Sequence, residues 1–347
     1  MTWGPEKTAA ALVLAAIVLT MLPARRPRQA QVGGGSAGKE GSGVRIGLVF
    51  DVGGRGDKSF NDASYAGLLR AERDLGVDAS FLEPTGSEDR EAAMRLFAAR
   101  GVDLVIGVGF IFSSDVDAVA RAYPKVHFAC VDYAPGASAM PPNVEGLAFR
   151  EEEGSFLVGA VAGLVSTTHH VGFVGGMTIP LIRKFEAGYE AGLHAACPAC
   201  VMHSAYAGSS PDAFKDPAKG KALAISEIAA GADVLFHASG STGHGVFEGA
   251  HDARVWAIGV DADQYDEMPD TVLTSMTKRA DVAVFDSIKA VVEHRFEGGM
   301  HVFGLREDGI DYVHEGLHGA HVPADVKTKV EALRAEIIAG RIVVPSK

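Results

Sequence analysis

From Val44 onward, the chain alternates short runs of β-branched and apolar residues with amphipathic helical patterns. This alternation is typical of parallel βαβ units, in which a helix connects two strands of one sheet. The first series of predicted strands covers 44–50, 78–82, 102–107, 127–132 and 144–149. A second series begins after Arg150, with strands at 171–174, 201–206, 234–238 and 255–260. The sequence therefore predicts an α/β protein with two copies of one doubly wound architecture.

The length supports two lobes, because 347 residues, 42 of them Gly and 47% hydrophobic, exceed what one compact core usually holds. The rest of the chain predicts a strand at 272–276, a helix at 281–296, a strand or hairpin at 302–313 and a helix at 325–339. We expect an N-terminal lobe of 44–150 plus 268–299 and a C-terminal lobe of 151–267 plus 300–347. Several crossings between the lobes would then form a hinge.

The junction after the first strand is rich in polar side chains. Residues 51–61 read Asp-Val-Gly-Gly-Arg-Gly-Asp-Lys-Ser-Phe-Asn. Ser59 with Asp62 three residues later resembles a capping box, which starts a helix at Phe60. Loop and helix start would then meet at the carboxyl edge of the sheet, where open α/β sheets bind ligands. This predicts a site for a small polar ligand with a flat face.

Charge and the N-terminus limit the partners and the location. A net charge of −12, with no Lys/Arg stripe, argues against nucleic acid. Residues 9–22 form an apolar run after Lys7, too short for a typical membrane span, which favours a secretory signal within 1–30. Glu6 and the arginines near position 26 leave a retained anchor as the alternative. Residues 31–43 predict a Gly/Ser-rich linker.

Six segments resemble the basic membrane protein family of substrate-binding proteins of ABC importers. They are Asp51-Val-Gly-Gly, Asp57-Lys-Ser-Phe-Asn61, Phe149-Arg-Glu-Glu-Glu-Gly-Ser-Phe-Leu157, Gly172-Phe-Val-Gly-Gly-Met177, Phe185-Glu-Ala-Gly-Tyr-Glu-Ala-Gly192 and Ile258-Gly-Val-Asp-Ala-Asp-Gln264. The similarity runs from about Val44 to Pro345 in the same order. It implies a type I periplasmic-binding-protein fold that holds a purine nucleoside in the interlobe cleft and delivers it to importer permease subunits.

The resemblance implies that Phe60 and Phe185 form an aromatic sandwich around the base, one ring from each lobe. Each could instead be a core phenylalanine of an amphipathic helix. We place Phe110 and Phe112 in the core, although Phe110 follows a strand end and could touch the ligand.

Asp51 and Asn61 resemble the positions that contact the polar edge of the base. A carboxylate accepts hydrogen bonds, and an amide both donates and accepts, which suits a purine. Asp51 could instead cap backbone amides of its loop. Asp57 could simply stabilise the Gly-rich turn.

Asp261 and Lys278 resemble the sugar contacts of the family. A carboxylate can accept from two adjacent hydroxyls, and a lysine can donate to one while balancing the buried charge. The alternative for Asp261 is an ordinary solvated loop.

The run Gly240-Ser-Thr-Gly-His-Gly245 follows a predicted strand. Its spacing matches neither a dinucleotide loop nor a P-loop, so we expect Gly240 and Gly243 to approach the ribose through the backbone, with phosphate binding as the alternative. In 107–115, the family has an acidic residue near the ligand. The match places Ser114 there, with Asp115 beside it.

The cysteines fit an exported protein. Cys197-Pro-Ala-Cys200 has the spacing of a redox motif, and we expect a structural disulfide there. Cys130 lies in an apolar strand and is predicted to be a buried thiol. Because no Cys lies near residues 20–45, lipidation at a lipobox Cys is excluded. The histidine pair 169–170 and His237, His244 and His251 match no zinc pattern.

We therefore expect a monomeric, exported nucleoside-binding protein, in the periplasm or on the outer face of the cytoplasmic membrane, that binds inosine, guanosine or adenosine without a cofactor, a metal or a chemical step. An enzyme on the same scaffold, such as a nucleosidase with Asp51 or Asp57 as the base, is one alternative. A membrane-anchored nucleoside sensor is another, and the ligand itself could differ.

Overall fold

The computed structural model describes residues 33–34, 42–84 and 89–347. The expected signal or anchor at 1–30 lies outside these residues, as does most of the expected linker at 31–43. The helices are α1 (Phe60–Leu75), α2 (Asp89–Ala99), α3 (Ser113–Ala122), α4 (Glu151–Val165), α5 (Pro180–Ala196), α6 (Pro217–Ala229), α7 (Thr242–Ala253), α8 (Ala280–Val292) and α9 (Ala324–Ile338).

Thirteen strands of the described chain form two sheets. The first contains β1 (Gly33–Gly34), β2 (Arg45–Val49), β3 (Asp78–Leu82), β4 (Leu104–Val108), β5 (His127–Val131), β6 (Val144–Phe149) and β12 (Gly299–Phe303). The second contains β7 (His170–Met177), β8 (Val201–Gly208), β9 (Val234–Ala238), β10 (Trp256–Asp261), β11 (Val272–Lys278) and β13 (Ile310–Tyr312).

Five parallel strands at the centre of each sheet follow one another in the same spatial order. That order is β3-β2-β4-β5-β6 in the first sheet and β8-β7-β9-β10-β11 in the second. The second, first, third, fourth and fifth strands of each series thus lie side by side, as in other doubly wound sheets. The predicted duplication of one α/β architecture is confirmed.

The chain changes sheet at points that differ from the expected boundaries. Strand β11 lies in the second sheet, where it pairs in parallel with β10, whereas we expected it in the first lobe. Helix α8, directly after it, packs against α1, and β12 pairs with β6 in the first sheet. Strand β11 is buried on both faces, so it belongs inside a parallel sheet. The segment 302–313 is therefore not a hairpin, because its two strands join different sheets.

Three crossings connect the sheets, after β6, after β11 and after β12. The amide of Arg150 in the first donates to the carbonyl of Phe303 at 2.9 Å, and the amide of Arg279 in the second donates to the carbonyl of Gly309 at 2.8 Å. The third crossing runs from Phe303, the last residue of β12, to Gly309, just before β13. It is thereby hydrogen-bonded to each of the other two crossings. This arrangement gives the expected multiple connection between the two sheets.

Helices α4 and α5 pack closely through glycines. A Cβ added at Gly159 would collide with the backbone of Tyr189, and one added at Gly192 would collide with the backbone of Phe156. The close contact between the helices therefore requires glycine at these positions on both helices. Among the described residues, no helix is both long and apolar enough to cross a membrane.

Candidate functional site

A cleft opens between the carboxyl ends of the strands of the two sheets. Its empty space is about 570 Å³, including part that is open to solvent, a size within the range of small-molecule sites. Seven of the nine predicted ligand-binding residues line it: Asp51, Phe60, Asn61, Phe185, Gly240, Asp261 and Lys278.

The loop 51–61 is held by its own carboxylates. The carboxylate of Asp57 accepts from the amides of Ser59, Asn61 and Asp62 at 2.9–3.1 Å and from Nδ2 of Asn61 at 3.0 Å. Helix α1 begins at the predicted residue, but Ser59 makes no side-chain cap, so the capping-box prediction names the wrong capping residue. Asp57 caps the start of α1, because its carboxylate accepts from these three backbone amides, which have no partner within the helix.

Two phenylalanine rings approach the cleft from opposite sides. Phe60 is the first residue of α1, which follows β2, and Phe185 lies on α5, which follows the equivalent strand β7. Nζ of Lys278 is 4.8 Å from the ring centroid of Phe60 and 5.6 Å from that of Phe185. The two lobes thus present aromatic faces to a common point.

Phe110 also lines the cleft, whereas we had favoured a core position for it. Its ring lies 6.5 Å from that of Phe214, which belongs to the second lobe, in an edge-to-face contact. Phe112 is fully buried and is a core residue, as predicted.

An acidic residue that sequence reasoning missed, Asp132, also lines the cleft. It directly follows β5, just as Asp261 ends the equivalent strand β10 of the second sheet. Both have left-handed backbones, with φ of 60° and 65°, a conformation that is uncommon outside glycine and clusters at functional sites. Asp132 follows an apolar strand, as Asp51 does, and this placement is the signal in the sequence that points to it.

Lys278 joins the two lobes at the floor of the cleft. Its ammonium donates to both carboxylate oxygens of Asp132 at 2.8 Å and lies 3.4 Å from Oε1 of Glu151. All three side chains are buried. Burial by itself would lower the pKa of Lys278, but the carboxylates of Asp132, Glu151 and Asp261 raise it, so the lysine stays charged. At Asp132, burial raises the pKa more than the charge of Lys278 lowers it, so the pKa of this carboxyl group is about 6.

A second polar contact connects the lobes at Asp261. Oγ of Ser59 donates to Oδ2 of Asp261 at 2.8 Å and to the carbonyl of Val260 at 3.2 Å. Burial raises the pKa of Asp261, while Lys278 and Ser59 oppose the shift. Ser59, which was predicted to cap a helix, thus contacts the other lobe.

Asp51 and Asn61 lie together at the first-lobe end of the cleft. The backbone amide of Asp51 donates to Oδ1 of Asn61 at 3.1 Å, and the Asp51 carboxylate accepts from the amide of Val52 at 2.5 Å. Burial raises the pKa of Asp51 to about 7, and the nearby charge of Asp132 adds to the shift. Gly109 passes so close that an added Cβ would collide with the Asp51 carboxylate.

Two predicted contacts lie elsewhere. Gly243 lies in the first turn of α7, buried against the ring of His237, where a Cβ would collide. Ser114 is exposed on α3, and neither residue is among those that line the cleft. The neighbouring Asp115 pairs with Arg90 at 3.5 Å. Asp132, from the next strand, lines the cleft, whereas Ser114 and Asp115 do not.

None of the three cysteines lines the cleft. Cys197 and Cys200 form a disulfide at the turn between α5 and β8. Cys130 is a fully buried free thiol in β5.

Comparisons with known proteins agree with this geometry. Residues 44–347 match the model of the Bmp family, described as ABC transporter substrate-binding protein PnrA-like. An ABC transporter nucleoside-binding protein, BmpA, of Lactococcus lactis is 31% identical, over 90% of this chain and 92% of its own. An uncharacterized lipoprotein of Pyrococcus horikoshii is 34% identical, over 81% of this chain and 72% of its own.

The solved structure of an ABC transporter solute-binding protein from Aeropyrum pernix superposes with a TM-score of 0.79 at 31% identity, covering 88% of this chain and 94% of that one. The two-sheet fold is thus that of periplasmic solute-binding proteins. The chain belongs to the Bmp family of PnrA-like ABC transporter substrate-binding proteins.

Proposed function

We propose that the cleft binds a purine nucleoside, with the base between Phe60 and Phe185. The observation that carries this proposal is that the two rings, on equivalent helices of the two lobes, face one point that polar groups also border. Stacking a base on an aromatic ring contributes about 1 to 3 kcal/mol. Because the rings come from different lobes, a flat ligand favours closure.

The polar groups lie at the two ends of the space between the two rings. Asp51 and Asn61 border one end, where a purine would present ring nitrogens and exocyclic groups. A carboxyl group with a pKa of about 7 can either accept from a ring N–H or donate to a ring nitrogen. This suits guanosine, inosine and adenosine alike.

Asp261 and Lys278 border the other end, where we place the ribose. Asp261 is paired with Ser59, and Lys278 with Asp132. A ribose hydroxyl that enters there can replace the Ser59 hydroxyl as the donor to Asp261. The buried carboxylate then still accepts a hydrogen bond. Gly240, with φ of 56°, lets the backbone approach from the second lobe.

The protein releases its ligand unchanged. The family is one of transport receptors, and delivery to importer permease subunits requires no bond to be broken. The raised pKa of Asp51 would suit a general base and is the observation that favours a nucleosidase. Incubation with inosine and guanosine, followed by chromatography for free base and ribose, separates the two functions.

We place the protein outside the cytoplasm as a monomer, cleaved or anchored at its N-terminus, without lipidation at a lipobox Cys. Mass spectrometry of the protein from its native cells would test whether the N-terminus is cleaved and whether it carries a lipid. Recovery of 1–30 in the mature chain would favour an anchored sensor, and a lipid-modified N-terminus would contradict this assignment.

Calorimetric titration tests the ligand class. The panel contains inosine, guanosine, adenosine, their free bases, ribose and a set of amino acids. We expect one binding site, saturated by at least one purine nucleoside, with free base and free ribose each weaker by more than tenfold. Binding of a sugar or an amino acid alone would contradict the proposal.

A further inference from the structure

The opposite edge of the second sheet carries a group of sulfur and imidazole donors that the transport function does not use. His169 precedes β7, and Cys200 precedes β8, which pairs with β7 in parallel. The amino ends of the two strands therefore bring these residues together. The nucleoside cleft lies at the carboxyl ends of the same strands, so this group is independent of the proposed function.

The distances within the group match those of a metal site. Nδ1 of His169 is 3.7 Å from Sγ of Cys197 and 3.7 Å from Sγ of Cys200. In a tetrahedral zinc site, bond lengths of about 2.3 Å to sulfur and about 2.0 Å to nitrogen place those atoms roughly 3.6 Å apart. Both nitrogen-to-sulfur edges are therefore already close to the required length. Once the sulfur–sulfur bond is broken, the two sulfurs can separate to about 3.8 Å, the third edge.

The backbone holds His169 in place. Its φ is 62°, a left-handed conformation in which Gly, Asn or Asp is more usual. The preceding turn is fixed by the carboxylate of Asp233, which accepts from the amides of Thr167 and Thr168 at 2.7 and 3.0 Å. The carbonyl of His169 accepts from the amide of Val201 at 2.8 Å. The backbone of His169 is thus held beside the two sulfurs.

We propose that Cys197, Cys200 and His169 bind one thiophilic divalent cation, with Zn²⁺ as the reference ion, when the disulfide is reduced. A dithiol reductant supplies two electrons and two protons, becomes a disulfide itself and leaves two cysteine thiols. Binding of the cation releases both thiol protons, and His169 binds through Nδ1 with its proton on Nε2. His169 is exposed, so the fourth position opens to solvent.

Cobalt binding tests the proposal, because tetrahedral Co²⁺ bound to thiolate has visible absorption bands that octahedral Co²⁺ lacks. The full chain is reduced with a water-soluble phosphine, which becomes its phosphine oxide and takes its oxygen from water. It is then titrated anaerobically with Co²⁺ and next with Zn²⁺. We expect one Co²⁺ per chain with the tetrahedral bands, displacement by Zn²⁺, and affinity at least 100-fold weaker in the oxidised protein.

Variants identify the ligands. We expect H169N, whose amide residue suits the left-handed backbone, to bind Zn²⁺ at least tenfold more weakly than wild type. The double variant C197S/C200S should lose the thiolate bands while retaining Cys130, which controls for that buried thiol. H194Q is the matched control, because exposed His194 contacts the carbonyl of Cys200 at 3.2 Å, and it should bind like wild type.

The proposal is overturned if the reduced wild type shows no tetrahedral bands, or if H169N binds Zn²⁺ as tightly as wild type. An equal loss in H194Q and H169N would overturn the assignment of His169. Far-ultraviolet circular dichroism and the thermal unfolding midpoint of each variant report whether the fold is retained, and neither measurement depends on bound metal or on a nucleoside.

Discussion

Lys278 of the second sheet and Asp132 of the first form a buried ion pair, with both carboxylate oxygens 2.8 Å from the ammonium. Because the two residues belong to different lobes, the pair stabilises the closed arrangement. Lys278 is also close to Glu151 and to the rings of Phe60 and Phe185. One side chain thus connects lobe closure to the ligand site.

Removing this lysine should destabilise the protein strongly. Lys278→Met leaves the buried carboxylates of Asp132 and Glu151 without their shared cation, and loss of one partner of a buried pair costs about 3 to 5 kcal/mol. Urea unfolding without ligand measures the difference in the free energy of unfolding. Lys289→Met on α8 is the control, since Lys289 pairs only loosely with Glu293 at 3.9 Å on the surface, and a change of less than about 1 kcal/mol is expected. Equal effects of the two substitutions would contradict the role assigned to Lys278.

Removing one ring should weaken nucleoside binding. Loss of a stacking contact of about 1 to 3 kcal/mol corresponds to roughly 5- to 150-fold in the dissociation constant. We expect such a loss for guanosine or inosine in Phe60→Ala. Phe60→Leu, which keeps an apolar side chain without the ring, should recover only part of it. Calorimetry measures both.

Phe296→Leu is the control for ring loss, because Phe296 packs on His127 outside the cleft. Its affinity should equal that of wild type. Wild-type affinity in Phe60→Ala would argue that the ring of Phe60 does not contact the ligand.

Asp261 should distinguish ribose from deoxyribose. A buried carboxylate that accepts from adjacent hydroxyls loses a donor when one hydroxyl is missing, which costs about 1 to 3 kcal/mol. We expect wild type to bind guanosine at least fivefold more tightly than 2′-deoxyguanosine, and Asp261→Ala to reduce this preference as well as the affinity. Asp263→Ala is the control, since Asp263 pairs with His318 at the surface. A preference unchanged in Asp261→Ala would place the sugar elsewhere.

Glu227 should make stability depend on pH. This buried carboxyl group of α6 has no hydrogen-bond partner for either oxygen within the described chain, and burial raises its pKa to about 9 from 4.5. The folded state therefore binds the proton more tightly than the unfolded state. Its contribution to stability is complete below about pH 4.5 and is lost as the pH rises towards 9, by up to about 1.4 kcal/mol per pH unit.

Glu227→Gln removes this titration. The free energy of unfolding of wild type relative to the variant should fall between about pH 6 and about pH 8.5, as measured by urea unfolding at each pH. Glu190→Gln, on the exposed face of α5, should show no such trend. A difference between wild type and Glu227→Gln that stays constant with pH would contradict the raised pKa.

Periodicity predicted the individual elements well, because hydrophobic spacing is a local property. Strands β3, β6 and β9 have the predicted bounds, and α1 begins at Phe60 as expected. The partner of each element is not local. For β11 the sequence predicts the wrong sheet, since a short buried strand fits the interior of either lobe.

The residues of the cleft also divide into those that a local pattern indicates and those that only tertiary contacts bring together. A carboxylate at a strand end and a ring at a helix start indicate Asp51 and Phe60, and the family resemblance indicates Asp261. Asp132 carries the same signal and was passed over. Ser59, an ordinary capping residue in sequence, contacts Asp261 about 200 residues away, a pairing for which the sequence has no local signal.

The sequence by itself determined the α/β class, the duplication, the family and most of the residues at the cleft, because these depend on patterns within short segments. Only the tertiary structure decided which groups meet: Lys278 with Asp132 across the lobes, and His169 with Cys197 and Cys200 at the opposite edge of the sheet. The physical reason is that parallel strands align the ends of segments far apart in the chain. The chemistry of such an edge therefore depends on strand order, which hydrophobic spacing does not specify.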